Sequence, residues 1–253
     1  MSKFKAPVAD YMTKPVVAVS HHQNLDAVDH ILQRKDITAI AVTGDDEGVT
    51  GVVSQTDLLR AGQQEFGETL RLPDVPVAQI MASPPLTVDA SATLAVAAGL
   101  MLGRQVHRAI VLDGSDPVGV ISATDLMRAV RQERVIDPLR EHMTTTVVTL
   151  CPDDPLALAV DRLDLSNRHG LVVVDGKWPI GVFTQRDALL SRARSPKTPV
   201  ADVMDPRVVA LPPDVALFRA AEQSLSLGVR RTLVVDDGLQ GILSGLDFAR
   251  AVV

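Results

Sequence analysis

The pattern of Gly119-Val-Ile-Ser122-Ala-Thr-Asp125 occurs four times along the chain and indicates a fold built from repeats. Each copy has a glycine, two apolar residues, a Ser or Thr, and an Asp three residues later. The other copies are Gly51-Val-Val-Ser54-Gln-Thr-Asp57, Gly181-Val-Phe-Thr184-Gln-Arg-Asp187 and Gly241-Ile-Leu-Ser244-Gly-Leu-Asp247.

A methionine stands 43 to 45 residues before each of these aspartates, at Met12, Met81, Met143 and Met204. Two anchors that keep their spacing in four copies mark internal repeats. Within each repeat we expect a short β-rich run, a turn, a helix with apolar residues at helical spacing, two buried strands around a polar turn, and a last helix that begins at the Ser/Thr. The sequence therefore predicts an α/β (α+β) fold of four β-α-β-β-α repeats, each preceded by a short helix at the methionine.

The linkers between repeats are short, so we expect the repeats to pair, because one unit of this size buries little surface. The predicted repeats span 1–64, 74–133, 136–194 and 197–253. Repeats one and two would form module one, 1–133, and repeats three and four would form module two, 134–253.

Composition excludes several classes of function. The chain has 253 residues, one cysteine (Cys151), 3% aromatic residues and a formal net charge of −6. These values argue against a disulfide framework, a multi-Cys metal site, base stacking on aromatic rings and general binding to a nucleic-acid backbone. Neither a signal peptide nor an apolar run long enough to cross a membrane is recognisable, so a cytoplasmic location is expected.

The Met-anchored start, the element order and the Gly-h-h-[ST]-x-x-Asp ending, where h is apolar, together resemble the CBS domain, named after cystathionine β-synthase. The resemblance covers nearly the whole chain, as in stand-alone CBS proteins and in the gamma subunit of AMP-activated protein kinase. It implies two Bateman modules, each a pseudo-twofold pair of repeats. Clefts between paired repeats would bind an adenosyl ligand such as AMP, ADP, ATP or S-adenosylmethionine, as a regulatory ligand rather than as a required cofactor.

The resemblance assigns the ribose to the four aspartates, since a carboxylate can accept hydrogen bonds from both ribose hydroxyls. The hydroxyl residue of each motif would lie at a helix N-terminus, which favours a phosphate. The alternative interpretation is a capping box without a ligand. The predicted ribose-binding residues are Asp57, Asp125, Asp187 and Asp247, and the predicted phosphate-binding hydroxyl residues are Ser54, Ser122, Thr184 and Ser244.

A basic pair follows each anchor methionine by 26 and 27 residues in repeats two and four. The stretch Val106-His107-Arg108-Ala109-Ile110-Val111 resembles the phosphate-binding stretch of the kinase gamma subunit. The predicted phosphate ligands are therefore His107, Arg108, Arg230 and Arg231, because the arginine fork matches phosphate geometry. Repeat one has Thr38 and Ala39 at these positions, and repeat three has His169 and Gly170, with Arg168 just before, so unequal clefts are expected. An adenine base would rest on aliphatic side chains near Val88 and Val148.

The remaining sequence patterns do not point to a specific functional site. His21 and His22 precede the first long helix and are interpreted as surface or cap residues rather than metal ligands, and no metal site is predicted. Cys151 is interpreted as an incidental thiol. No catalytic motif is present, so no catalysis is expected. The predicted function is a regulatory sensor of adenine nucleotides that signals to a partner protein, with a homodimer as one possible assembly. The alternative is an interaction scaffold whose clefts hold no ligand.

Overall fold

The fold is taken from a computed structural model that describes residues 4–46, 48–63 and 70–253. Residues 1–3, Glu47 and 64–69 lie outside this part of the chain. Both predicted ends of repeat one, part of the turn predicted after its second strand, and part of the first linker therefore fall outside the described residues.

The described chain forms four three-stranded sheets and eight α-helices in the predicted order. The strands are β1 (Ala18–Ser20), β2 (Ala39–Thr43), β3 (Val49–Ser54), β4 (Thr87–Asp89), β5 (Arg108–Asp113), β6 (Asp116–Ser122), β7 (Thr149–Leu150), β8 (Gly170–Asp175), β9 (Trp178–Thr184), β10 (Val209–Leu211), β11 (Thr232–Val235) and β12 (Leu239–Leu243). The α-helices are α1 (Leu25–Arg34), α2 (Gln55–Gln63), α3 (Leu94–Arg104), α4 (Ala123–Gln132), α5 (Leu156–Leu165), α6 (Gln185–Leu190), α7 (Leu217–Leu227) and α8 (Gly245–Arg250). Single-turn 3₁₀ helices precede the anchor methionines at Val8–Asp10, Val77–Gln79, Leu139–Glu141 and Val200–Asp202.

Each sheet has the same topology. The first strand of a repeat pairs in parallel with the second, and the second pairs antiparallel with the third. The parallel pairing requires a crossover, which the first long helix supplies. The second and third strands join through tight turns with residues in the left-handed region, such as Gly114 at φ 63° and Gly176 at φ 58°. Glycine adopts this region without steric cost, so these positions are turn residues, as predicted.

The helix starts differ in part from the expectation. The turn residue Asp89 accepts hydrogen bonds from the backbone and hydroxyl of Ser91, so it stabilises the turn after β4. The N-cap of α3 is Thr93, whose hydroxyl accepts from the Val96 amide at 3.3 Å. The N-cap of α1 is Asn24, which accepts from the Ala27 amide at 3.0 Å. His22 is therefore not a helix cap.

The described residues divide into two compact units that do not follow chain order. Unit 1 contains the described part of Met1–Val16 together with Leu86–Val147 and Arg207–Val253, and unit 2 contains the described part of Val17–Pro85 together with Val148–Pro206. Unit 1 thus holds the sheets and long helices of repeats two and four, and unit 2 holds those of repeats one and three. The predicted module boundaries, 1–133 and 134–253, are not the boundaries of these units, and the modules stay a prediction.

Each unit has its own apolar core. In unit 1, α4 packs against α7 and α8, and the cluster around Met127, Leu126, Leu243 and Phe248 excludes water completely or nearly so. In unit 2, α2 packs against α6, around Leu58, Leu189 and Phe183. Both cores consist mainly of Val, Leu, Ile and Ala, as the low aromatic content predicts.

The start of each repeat packs on the sheet of the neighbouring repeat. In unit 1 the amide of Thr13 donates to the Val120 carbonyl and the Val120 amide donates back, both at 2.9 Å. In unit 2 Val52 and Ala82 form the corresponding two-way bridge. Each bridge adds a short extra strand contact to the third strand of a sheet. It also places the anchor methionine over the glycine that begins the Gly-h-h-[ST]-x-x-Asp motif.

Candidate functional site

The Ser/Thr-x-x-Asp motif forms the same hydrogen bonds in all four repeats. The Asp125 carboxylate oxygen Oδ2 accepts from the Ser122 amide at 2.8 Å and from its hydroxyl at 2.6 Å. The other copies repeat this at 2.6–2.8 Å around Asp57, Asp187 and Asp247. Each motif is thus a capping box that begins α2, α4, α6 or α8. One carboxylate oxygen is committed to the cap, so a ligand hydroxyl would meet the other, Oδ1.

The Oδ1 atoms of unit 1 already have protein partners. Arg128 donates to Oδ1 of Asp125, and Arg250 donates to Oδ1 of Asp247. The Thr144 hydroxyl also donates to Oδ1 of Asp247, at 3.1 Å. Both aspartates are about 1% exposed. A ribose at either carboxylate would have to share or displace these donors.

The aspartates of unit 2, Asp57 and Asp187, are half-buried. Arg60 occupies the same place after Asp57 that Arg128 occupies after Asp125, but it donates to Asp164 at 3.2 Å and to Asn167 at 2.8 Å. In repeat three Leu190 stands where the arginine would be. The arginine three residues after the Asp therefore donates to that Asp in unit 1, whereas Arg60 of unit 2 donates to other residues. An Asp-x-x-Arg spacing in repeats one, two and four was the sequence signal that could have identified these arginines.

Burial alters the acidity of the Asp125 carboxyl. It raises the pKa of Asp125 above its ordinary value, because desolvation disfavours the charged form. The hydrogen bonds from Ser122 and the positive charges of Arg128 and Arg108 act in the opposite direction on this pKa. The influence of Arg108 shows that the predicted phosphate ligand of repeat two lies near the predicted ribose ligand of the same repeat.

Strand register explains that proximity. Arg108 at the start of β5 is the register partner of Ser122 at the end of β6. The same register pairs Ala39 with Ser54 and Gly170 with Thr184. In these three repeats the start of the second strand therefore lies next to the helix cap, whichever residue the sequence places there.

The predicted basic residues of unit 1 differ in exposure. His107 and Arg108 are half-buried, Arg231 is half-buried just before β11, and Arg230 is exposed. The His107 ring lies against Gly245, the first residue of α8, with Nδ1 3.2 Å from the position that a Cβ on this glycine would take. His107 of repeat two thus reaches the helix N-terminus of repeat four, a contact that sequence reasoning did not foresee.

Unit 2 has a cleft at the corresponding helix start. Its walls come from the beginning of α2, the end of α5 and the residues before β8, and the lining residues are Thr56, Leu59, Arg60, Leu163, Asp164, Asn167, Arg168, His169 and Gln185. His169 Nδ1 lies 3.3 Å from the Thr56 hydroxyl, and Gln185 donates to the Arg168 carbonyl at 2.8 Å. Two arginines and a histidine therefore line one small cleft. The sequence did not predict that Arg60 would be one of them.

The predicted adenine-contacting valines are placed differently. Val88 packs in the core of unit 1 with 5% of its surface exposed, so it offers little area to a base. Val148 is half-buried against the core of unit 2. A role for either valine in binding a base stays a prediction. Cys151 is exposed, and its backbone amide donates to Asp154 at 2.9 Å.

Comparison with protein-family models identifies the repeats. The CBS domain model matches residues 8–63, 77–132, 139–193 and 200–253, so this chain belongs to the CBS-domain family. The expected α/β fold of four CBS repeats is confirmed.

Solved structures and curated relatives give further similarity. The crystal structure of protein MJ1225 from Methanocaldococcus jannaschii, described as a proposed archaeal homologue of g-AMPK, superposes with a TM-score of 0.86 at 17% identity, covering 98% of this chain and 100% of that chain. The CBS domain-containing protein YhcV of Bacillus subtilis is 30% identical over 44% of this chain and 82% of its own length. The CBS domain protein PAE2072 from Pyrobaculum aerophilum, complexed with AMP, is 27% identical over 51% of this chain and 97% of that chain, with a TM-score of 0.45.

Several curated enzymes also match, and the chain spans between 16% and 27% of their length. Among the described residues, no helix has both the length and the apolar character needed to cross a bilayer.

Proposed function

We propose that this chain is a regulatory protein that binds an adenine nucleotide and signals its presence to a partner protein, without catalysis of its own. The observation that carries the proposal is the strand register that sets Arg108 beside Ser122 and Asp125. This arrangement combines an arginine, a helix N-terminus and a carboxylate, the groups that suit a phosphate and a ribose.

The cleft of unit 2 supports the proposal independently. Arg60, Arg168 and His169 line it next to the cap of α2. Arginine side chains bind phosphate oxygens through paired donors, and the cleft holds two of them. We infer that a phosphate group of a nucleotide binds here by displacing Arg60 from Asp164 and Asn167, and that the ribose lies toward Asp57.

Signalling requires a difference in affinity. A ligand shifts an equilibrium between two arrangements only if it binds one of them more tightly. The donors on Asp125 and Asp247 in unit 1 provide a physical basis, because a ribose that displaces them from Oδ1 would move Arg128 or Arg250. The released arginine would then change the surface that a partner, or a second copy of the chain, contacts.

A ligand-free scaffold is the second candidate, and the same donors favour it. The Oδ1 atoms in unit 1 are satisfied without ligand. Under this proposal the capping boxes serve helix stability only, and AMP, ADP, ATP and adenosine all leave the protein unaffected.

Calorimetric titration with AMP, ADP, ATP, adenosine, GTP and S-adenosylmethionine tests both candidates. The Arg108→Ala variant should weaken AMP and ATP binding about tenfold, the loss expected for a charge-assisted hydrogen bond, while adenosine affinity changes little. Arg104→Ala, at an exposed arginine on α3, serves as the control. Equal losses for all three ligands would refute the phosphate role of Arg108, and no binding of any ligand would favour the scaffold.

A further inference from the structure

We propose that His21, His22 and Asp45 form a binding site for a divalent transition metal, with Zn²⁺ as the ion that fits best. These three side chains converge at one corner of the first sheet, in unit 2. His21 Nε2 lies 2.8 Å from His22 Nε2 and 3.0 Å from Asp45 Oδ1, and His22 Nε2 lies 3.5 Å from the same oxygen.

Local structure explains why the three residues meet. The two histidines follow β1 and Asp45 follows β2, and these strands are parallel neighbours, so their carboxyl ends share one edge of the sheet. The His21 amide donates to the Thr43 carbonyl at 2.9 Å, and the His21 carbonyl accepts from the Ala78 amide at 3.1 Å. The backbone of the first ligand is therefore held from two sides.

The spacing suits tetrahedral coordination. Ligand atoms about 2.0–2.2 Å from Zn²⁺ are about 3.3 Å apart in a tetrahedron. The three observed separations, 2.8, 3.0 and 3.5 Å, bracket that value. The imidazole rings are 3.9 Å apart at their centroids and edge-on, so they would open slightly around an ion. His22 and Asp45 are mostly exposed, which permits this adjustment and leaves a fourth position for water.

The chemistry of the donors selects the ion. Two imidazole nitrogens and one carboxylate oxygen match Zn²⁺ and its transition-metal neighbours, whereas Ca²⁺ and Mg²⁺ prefer sites made of oxygen atoms. No other group of three His, Cys, Asp or Glu side chains in the described ranges comes close enough together to hold an ion.

The other repeats show that the fold does not need these residues. The register pairs Val19 with Val42 as it pairs Val88 with Val111, so equivalent positions can be assigned in all four sheets. The equivalents of His21, His22 and Asp45 are Ala90, Ser91 and Gly114 in repeat two, Pro152, Asp153 and Gly176 in repeat three, and Pro213, Asp214 and Asp237 in repeat four. Because repeat two forms the same corner without metal-binding side chains, packing alone does not account for the triad.

The repeats also supply substitutions that preserve the fold. His22→Ser and Asp45→Gly introduce the residues of repeat two, and His30→Ala, at an exposed histidine on α1, is the matched control. After the purified chain is stripped with chelator, Zn²⁺ titration by calorimetry should give one site per chain. His22→Ser and Asp45→Gly should each lower the affinity by more than about tenfold, since even outer partners of a metal ligand cost that much.

Cobalt gives a second readout. Co²⁺ in the wild-type chain should show the visible absorption of a tetrahedral site, which His22→Ser removes and His30→Ala retains. Circular dichroism verifies that each variant is folded. A chain that binds no Zn²⁺ overturns the proposal, and so does Zn²⁺ affinity that is unchanged in both His22→Ser and Asp45→Gly.

Discussion

The sulfur of Met81 lies 2.5 Å from the position that a Cβ on Gly51 would take. The Ala82 carbonyl oxygen is 3.0 Å from the same position. Met12 and Gly119, Met143 and Gly241, and Met204 and Gly181 are related in the same way. The two sequence anchors of this chain are therefore in contact, each methionine filling the space left by a glycine of the adjacent repeat.

Because Met81 leaves no room for a Cβ at Gly51, we expect Gly51→Ala to lower the free energy of unfolding by about 1–3 kcal/mol, the cost of inserting a methyl group into a well-packed core. Gly103→Ala on α3, where a Cβ would meet no atom within 4 Å, should instead be neutral or stabilise by up to about 1 kcal/mol. Urea unfolding of both variants measures the difference. Equal effects at the two positions would contradict the packing role of Gly51.

A buried ion pair gives the second prediction. Asp29 on α1 has no exposed surface, and it accepts hydrogen bonds from Arg192 and from Gln33, the latter at 2.8 Å. Arg192→Met should cost about 3–5 kcal/mol, because it leaves a buried carboxylate without its counter-charge. Arg186→Met, which removes the exposed pair with Asp36, should cost at most about 1 kcal/mol.

Thermal unfolding distinguishes these variants, and Asp29→Leu, alone and combined with Arg192→Met, completes the cycle. The double variant should be more stable than Arg192→Met alone, since no unpaired charge remains. Full additivity of the two substitutions would show that the pair is not coupled.

The third prediction concerns pH. Burial raises the pKa of Asp125 above its ordinary value of 3.8, so the folded protein binds this proton more tightly than the unfolded chain. Its contribution to stability is therefore largest in acid and falls as the pH rises from 3.8 through the raised pKa. A pKa that differs by one between the folded and unfolded chain changes the free energy of unfolding by about 1.4 kcal/mol.

Asp125→Asn isolates this effect, because its side-chain oxygen can still accept from Ser122 but no longer titrates. The unfolding free energy of the wild-type chain, relative to this variant, should decrease across that pH window. Urea unfolding at a series of pH values checks the sign. A relative stability that increases with pH would contradict the desolvation of Asp125.

The fourth prediction concerns the capping role of Ser54 in the absence of ligand. Ser54→Ala removes the hydroxyl that contacts Asp57 and caps α2, and should destabilise the ligand-free protein by about 0.5–2 kcal/mol. Ser54→Thr keeps the hydroxyl, as Thr184 does in repeat three, and should be nearly neutral. Denaturation without nucleotide measures this, and no loss in Ser54→Ala would refute the capping role.

Element order and helix starts were predictable from sequence because both depend on local patterns. The four capping boxes at Ser54, Ser122, Thr184 and Ser244 begin helices where the spacing predicts. In repeat two Asp89 stabilises the turn after β4 and Thr93 caps α3, because the choice between nearby polar residues depends on where the helix axis starts.

The candidate site was predictable only in part. The four Asp positions, and the Arg that follows three of them, are visible in the sequence, but the partners of Asp125 Oδ1 and Asp247 Oδ1 depend on the direction of a side chain one helical turn away. Arg60 shows this, since the same spacing places it against Asp164 and Asn167 instead.

Spacing along the chain is enough to predict four copies of one β-α-β-β-α unit, since periodic patterns and capping residues act over a few neighbours. The folded chain was needed to show that Met81 fills the space at Gly51, that His107 lies against Gly245, and that His21, His22 and Asp45 converge. These contacts join residues far apart in the chain, and they follow from strand register and from the packing of whole repeats, which no local pattern contains.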